Sequence, residues 1–230
     1  MHFGTRKNKS PVRVVLGFHK LDLVNSFKYL GIDLQRNLSW AGTKRRFVVK
    51  AKTRIPMVTK AMVEGLSVQT GIKLWVTMIR PTLEYAAEIL AGENWPQAEQ
   101  IQYWVGRILL NLQRGTAREV VRGELGWCSL RARREIKLLK LWGRILKMDD
   151  SRLIKSVYRC CKDQTVSQKG SFCQAVYKSL VSLKLGHIWL SEQIGDLKKW
   201  ISCVSSSVME RETYGYVHSS RNQNFDSIAV

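Results

Sequence analysis

The chain has 230 residues, of which 45% are apolar, and a formal net charge of +20 with an isoelectric point near 10.1. The apolar content is enough for a packed core and excludes a fully disordered chain. The surplus of positive charge predicts a polyanionic partner, most often nucleic acid; a ribosome-like or membrane-surface basic protein is the alternative.

The charge is distributed unevenly along the chain. Residues 1–60 carry 14 Lys and Arg against two acidic residues, and residues 111–170 carry 15 against six. Residues 61–110 are near neutral, at −2, and residues 171–230 are at +1. We therefore predict two basic surfaces, separated along the sequence by a segment that is mostly buried.

The only strand-like residues lie in the first part of the chain. "VRVVLG" (12–17) is β-branched and ends at a glycine, "HKLDLV" (19–24) alternates in polarity, and "FKYLGI" (27–32) follows a polar pair. These patterns predict a small antiparallel hairpin or three-stranded ribbon within residues 1–42. Such a ribbon is marginal alone and needs a partner to pack on.

From residue 43 the apolar spacing becomes helical. Residues 43–63 are apolar at three- and four-residue steps, and Pro56 should kink or divide the helix. Ser67 should cap a second helix that reaches about residue 91 and is interrupted at Pro81. A third helix is predicted over about 95–113.

The helical pattern continues in shorter units. Thr116 should cap a helix that ends at Leu125, before Gly126. Ser129 should cap a long basic helix that reaches residue 148 and completes a helical region over 43–148. Weaker helices are predicted at 151–161, 171–185 and 188–204, within a C-terminal helical region 149–204, and residues 205–230 form a polar, loose tail. The fold class is mainly α, a helical bundle with a small N-terminal β-ribbon.

Several other classes of site and segment are disfavoured by the sequence. The five cysteines are odd in number and contain no C-x-x-C pair, which argues against a disulfide framework or zinc site and favours a reducing, intracellular compartment. The first ten residues lack the apolar segment of a signal peptide. No apolar run approaches the roughly 20 residues of a membrane span, so we expect no membrane partner.

Asp149 and Asp150 are the one pair of adjacent carboxylates. Two-metal phosphoryl transfer requires carboxylates held together, and in polymerases such a pair lies in a hairpin between apolar strands. Here the pair follows a basic helix and precedes another helical stretch, so a helix end and an acidic cap explain it. We predict no catalytic residue, no metal ligand and no cofactor in this chain.

The order of short motifs resembles one family. The chain reads "MHFG", "FKYLGIDL", "LSW", a basic helix, "GLS", "IRPTLEYAAEIL", "IQ", "RILLNLQRGT" and "ELGWCSLRARREIKLLK". This order is similar to the region downstream of the catalytic palm in reverse transcriptases of non-LTR retrotransposons. There a "YLG" strand and turn beside the primer precede a helical thumb with "P-x-LEY" and "LG-x-x-(S/P)L-x-x-R". The resemblance covers about residues 1–148, and residues 149–230 match nothing in that family.

The resemblance implies a C-terminal part of an RNA-directed DNA polymerase. Its metal-binding aspartates, and the Mg²⁺ they hold, would belong to a missing palm, so the chain alone is not expected to be active. The implied partners are an RNA/DNA template–primer duplex and the missing fingers and palm, and the implied location is nuclear. The β-ribbon would then be a remnant of the palm edge.

The predicted nucleic-acid-binding residues fall into three groups. Tyr29 and Gly31 would lie near the primer's sugar-phosphate, where glycine permits close approach; alternatively, Tyr29 and Leu30 are core residues and Gly31 merely bends a strand. The other two groups would contact phosphates. The first group comprises Lys44, Arg45, Arg46, Lys50, Lys52 and Arg54, and the second comprises Arg131, Arg133 and Arg134.

Two other functions stay open on the sequence. The first is a non-enzymatic, basic helical protein that binds nucleic acid. The second is a structural bundle that binds a protein partner, which is favoured only if binding to nucleic acid is absent at low salt.

Overall fold

The computed structural model describes residues 14–21, 24–163 and 171–226, and the side chains of 17–18, 24–163 and 171–213 among them. The "MHFG" motif at residues 1–4 lies outside the described residues. The chain divides into two compact units, residues 1–50 and 51–230. The architecture is mainly helical with antiparallel strands near the N-terminus, which confirms the predicted fold class.

The first unit contains two separate hairpins. Strands β1 (Val14–Leu16) and β2 (His19–Leu21) pair with each other, and β3 (Ser26–Tyr29) pairs with β4 (Ile32–Gln35). Both pairs are antiparallel, and no third strand joins either sheet within the described residues. The hairpin alternative of the sequence prediction therefore holds, and the three-stranded ribbon does not.

The stretch "FKYLGIDL" makes a hairpin by itself. Tyr29 pairs with Ile32, so Leu30 and Gly31 form a two-residue turn. Both have positive φ angles, 43° and 79°, which is typical of a type I′ turn. Gly31 adopts this conformation readily, whereas for Leu30 it is strained.

The remaining elements are helices. Helix α1 follows the second hairpin, and the others complete the second unit: α1 Ala41–Lys52, α2 Ile55–Val63, α3 Val68–Leu74, α4 Arg80–Leu83, α5 Ala87–Leu90, α6 Pro96–Leu109, α7 Arg118–Leu125, α8 Leu130–Lys147, α9 Leu153–Asp163, α10 Phe172–Ser182, α11 Gly186–Ser191 and α12 Leu197–Asp226.

Local signals predicted three of the helix ends. The Ser67 and Ser129 side chains accept hydrogen bonds from the amides of Thr70 and Ala132, as N-caps should. Gly126 ends α7 with a φ of 62°. The cap of α7 was predicted wrongly: Ala117 occupies that position, and the Thr116 hydroxyl donates to the carbonyl of Gln113 instead.

The interruption near Pro81 begins earlier than predicted. Residues Trp75–Ile79 form a π segment between α3 and α4, in which the Arg80 amide bonds to the Trp75 carbonyl, five residues back. Proline has no amide proton, and π segments are a common way to absorb such a break in the helical hydrogen-bond pattern.

Helix α8 is at the centre of the second unit. It packs against α12, α5, α10, α6 and α9. Its Trp142 ring lies 6.0 Å from that of Trp189 and 5.5 Å from that of Trp200, measured between centroids. Gly143 permits the close approach, because a Cβ there would lie 2.6 Å from the Trp200 ring.

Helix α12 continues through residues that the sequence analysis assigned to a polar tail. Val204 and Val208 are buried, and the Arg211 guanidinium pairs with Glu135 of α8. Two valines four residues apart lie on one face of a helix, and this face packs on α8. In the ranges that the structure describes, no helix combines the length and apolar character needed to cross a membrane.

Candidate nucleic-acid interface

The predicted "YLG" site is the turn of the β3–β4 hairpin. Tyr29 is 57% exposed, so it is not the core residue of the alternative interpretation. Gly31 occupies the second turn position and uses the positive φ that glycine permits. Its proximity to a primer stays a prediction.

Of the predicted basic residues in the first unit, Arg46 has an internal role. Its Nε donates to Asp33 Oδ2 at 2.9 Å, and its Nη2 donates to the Gly31 carbonyl at 2.5 Å. Arg46 therefore holds the hairpin against α1. Arg45 and Lys50 are exposed and Lys44 is half-buried, so these three present charge to solvent.

Lys52 and Arg54 begin the second unit and have internal contacts there. The Lys52 ammonium lies 5.2 Å above the centre of the Trp104 ring, and the side chain is exposed. The Arg54 guanidinium donates to the Met78 carbonyl and, at 2.6 Å, to the Thr82 hydroxyl. Arg54 is half-buried and has two partners in the interrupted helix, one carbonyl and one hydroxyl, so its predicted phosphate contact would compete with these bonds.

The cluster at 131–134 does not form one phosphate-binding surface. The Arg131 side chain is exposed, but Arg134 is buried, at 1% exposure. Arg134 Nη2 donates to Glu99 Oε1 at 3.3 Å, and its guanidinium lies 5.4 Å from the centre of the Trp95 ring. Burial lowers the pKa of Arg134, although Glu99 opposes this shift. The prediction for Arg134 is therefore corrected: it is an interior ion-pairing residue.

Arg133 belongs to a second internal cluster, which we name the Glu84 cluster. Glu84 is buried and accepts hydrogen bonds from Arg133 Nε and Nη2. Lys137 Nζ lies 3.1 Å from Glu84 Oε2, and Arg80 Nε lies 3.8 Å from Oε1. Burial alone would raise the pKa of Glu84, but Arg133 and Lys137 together hold it below its usual value. One carboxylate thus faces three cations, and the cluster keeps an excess of positive charge.

The exposed side of α8 extends this charge into a continuous row. Five cations follow one another at steps of four and three residues, which places them within an arc of about 80° on the helix. We name this row the α8 basic stripe: Arg133, Lys137, Lys140, Arg144 and Lys147. Arg144 and Lys147 are exposed and the others are half-buried. Across the described residues, no acidic side chain pairs with Lys140, Arg144 or Lys147.

Of the three arginines that the sequence predicted on α8, only Arg133 belongs to the stripe. The three lie close together in sequence, but neighbouring helical residues point in different directions. The signal that identifies the stripe is the four-three spacing of cations opposite buried Leu138, Leu139 and Trp142.

Asp149 and Asp150 lie between α8 and α9. Asp149 Oδ1 accepts from the Ser151 amide at 2.9 Å, and hydrogen bonds from the Ser151 side chain and then from this amide lower the Asp149 pKa. Asp150 Oδ1 lies 2.8 Å from Lys155 Nζ and 2.7 Å from Arg159 Nη2, and these hydrogen bonds lower its pKa. Each carboxylate thus has a local role at a helix junction. Over the described ranges, no group of three or more His, Cys, Asp or Glu could hold a metal ion.

Comparison of the chain with models of protein families, with curated proteins and with solved structures yields no match. The similarity to reverse transcriptases thus rests on the short motifs alone.

Proposed function

We propose that this chain binds a nucleic-acid duplex through its phosphates, as the thumb and downstream region of a non-LTR retrotransposon reverse transcriptase. The observation that carries the binding proposal is the α8 basic stripe. Its three outer members, Lys140, Arg144 and Lys147, lie on one helix face and have no acidic partner among the residues that the structure describes. Cations in this arrangement are available for phosphate contacts.

The dimensions of the stripe suit a polyanion with regular charge spacing. From residue 133 to residue 147 the helix rises by about 21 Å, at about 1.5 Å per residue. Phosphates on one DNA strand repeat every ~3.4 Å along the axis, so the stripe has the length of about six phosphates. Lysine and arginine bind these without reading bases, which suits a duplex-gripping element.

The assignment to a reverse transcriptase is supported by the order of the motifs. The Glu84 cluster adds a physical link between two of them. Glu84 belongs to "PTLEY", and Arg133 is the last residue of "LGWCSLRAR". The structure joins the two side chains by an ion pair, 49 residues apart in sequence. Two motifs of the resemblance thus contribute to the same local structure.

One observation favours a second candidate, the non-enzymatic helical nucleic-acid-binding protein. The core around α8 includes residues beyond the range of the resemblance: Tyr158, Cys173, Val176, Leu180, Trp189, Ile194, Trp200 and Val204. Helices α9–α12 are thus part of the same packed body as the thumb-like helices. Both candidates predict duplex binding, and only the first predicts a preference for a recessed primer end.

The test is duplex binding by fluorescence anisotropy, with three neutralised side chains in the stripe. Lys140→Gln, Arg144→Gln and Lys147→Gln together should weaken binding roughly tenfold or more on every sequence, since phosphate contacts carry no direct sequence information. A matched control neutralises exposed lysines elsewhere in the second unit, Lys178→Gln, Lys198→Gln and Lys199→Gln. Equal losses of duplex affinity in the two triple variants would overturn the assignment of the stripe. A wild-type protein that does not bind the duplex at low salt would overturn the proposed function.

A further inference from the structure

The two faces of the β3–β4 hairpin differ in chemistry. In an antiparallel pair, directly opposite residues project to the same face, and neighbours along a strand project to opposite faces. Phe27 is opposite Leu34 and Tyr29 is opposite Ile32, so these four apolar residues share one face. The other face carries two polar pairs, Ser26 with Gln35 and Lys28 with Asp33.

The polar face is the one that packs on α1. Asp33 accepts a hydrogen bond from Arg46, and the Gln35 amide nitrogen lies 2.7 Å from where a Cβ at residue 42 would be. The Asp33 backbone amide also donates to Thr43 Oγ1 at 2.9 Å. This orientation is the reverse of the usual one, in which a hairpin buries its apolar face and exposes its polar face.

The apolar face is consequently directed away from α1, and we name it the outward face: Phe27, Tyr29, Ile32 and Leu34. Phe27 is 53% exposed and Tyr29 is 57% exposed. Two residues along a strand are separated by about 6.8 Å, so the two aromatic side chains project from points at that spacing.

The segment that carries the outward face has a strong positive charge. Residues 24–50 contain six Lys and Arg and a single acidic residue, Asp33, which is paired with Arg46. Exposed aromatic rings on a segment of net positive charge are complementary to a partner with flat apolar rings and negative charges. Unpaired nucleotides have both, because their bases present π faces and their phosphates are anionic.

We propose that the outward face stacks unpaired bases of single-stranded nucleic acid on Phe27 and Tyr29. This inference rests on the proposed function in one respect, that the chain acts on nucleic acid. It adds a second mode of contact: the α8 basic stripe binds duplex phosphates, and the hairpin binds exposed bases. Stacking is tolerant of sequence, since every base has a π face.

The test measures single-strand and duplex binding separately, on the full chain. The single-stranded probe is fluorescein-labelled oligo(dT), which forms no secondary structure, and the second probe is a blunt duplex of equal length. The variant is Phe27→Leu with Tyr29→Leu, which keeps apolar bulk and removes both rings. The matched control exchanges the rings, Phe27→Tyr with Tyr29→Phe.

The leucine variant should bind oligo(dT) at least about 5-fold more weakly, since loss of each stacked base weakens binding by about 5-fold to about 100-fold. The ring exchange should stay within about twofold of wild type on both probes, and the leucine variant should lose more affinity for oligo(dT) than for the duplex. The proposal would be overturned if the leucine variant binds oligo(dT) as tightly as wild type does. It would also be overturned if the wild-type protein does not bind oligo(dT).

Two further outcomes distinguish the alternatives. If analytical ultracentrifugation shows that wild type self-associates and the leucine variant does not, with equal oligo(dT) affinity, the occupant of the outward face is a second copy and the proposal is wrong. If the stripe variant leaves duplex binding intact while the leucine variant loses oligo(dT), the proposed duplex grip fails and the stacking proposal survives.

Discussion

Replacement of Glu84 by glutamine should destabilise the second unit, because Glu84 is the only carboxylate of its cluster. Its side chain is 7% exposed, and it faces Arg133, Lys137 and Arg80, whose side chains are 31%, 34% and 26% exposed. Glutamine keeps the shape and can accept hydrogen bonds, but it carries no charge. The variant therefore leaves three neighbouring cations without a counter-charge.

The expected loss of stability follows from the burial of Glu84 and of its three cationic neighbours. Removal of one partner of a fully buried ion pair costs about 3–5 kcal/mol. The three cations retain about a third of their exposure, so water screens part of the repulsion, and we expect a loss of about 2–3 kcal/mol. For a unit of this size, that corresponds to a fall in melting temperature of roughly 5–10 °C.

Calorimetric melting of wild type and variant is the assay. The matched control is Glu64→Gln, since the Lys60–Glu64 pair is 3.7 Å apart and both side chains are largely exposed. That control should lose less than about 0.5 kcal/mol. Equal melting of wild type and Glu84→Gln, or equal losses in both variants, would refute the cluster as a source of stability.

The pH dependence of the Glu84 effect has a definite sign. The pKa of Glu84 is lower in the folded chain than its ordinary value, near 4.3. Its contribution should be complete above about pH 4.3 and should be lost as pH falls through the lower folded pKa. The difference in free energy of unfolding between wild type and Glu84→Gln should therefore be constant above about pH 4.3 and should decrease as the pH falls below that value.

Three other outcomes are expected. Gly143→Ala should cost about 1–3 kcal/mol in chemical denaturation, because a Cβ there would lie 2.6 Å from a buried indole, whereas Gly123→Ala, with nothing within 4 Å, should be tolerated. Leu30→Asn should relieve the strain of a positive φ and slow hydrogen exchange of the hairpin amides by severalfold, and unchanged exchange would contradict the turn assignment. A primer-extension assay with Mg²⁺ should show no nucleotide incorporation. If nucleotides are incorporated, and the double variant Asp149→Asn with Asp150→Asn abolishes this activity, the local roles of these residues at the helix junction would be contradicted.

The features that the sequence predicted correctly are local. Ser67 and Ser129 each bond to an amide three residues later, so both partners lie within one turn of helix. The division of the first long helix near Pro56 follows from the chemistry of one residue. The "FKYLGIDL" hairpin was harder to identify, because leucine occupies a turn position where asparagine or glycine is usual.

The features that the sequence did not predict depend on distant partners. Arg54 bonds to Thr82, Arg133 to Glu84 and Arg134 to Glu99, at separations of 28, 49 and 35 residues. A run of arginines looks the same in sequence whether its charges face solvent or interior carboxylates. Only the folded structure distinguishes arginines that face solvent from arginines that face interior carboxylates. It indicates Lys140, Arg144 and Lys147 as the candidate phosphate contacts.

The salt dependence of duplex binding is the most direct test of the proposed phosphate grip. With about six phosphates neutralised, the slope of log affinity against log salt should be roughly −5 for duplex DNA. The triple variant at Lys140, Arg144 and Lys147 should flatten that slope by roughly 2 to 3 units, since each lost phosphate contact removes about 0.9. The control triple at Lys178, Lys198 and Lys199 should keep the wild-type slope. Identical slopes in wild type and the stripe variant would contradict the account.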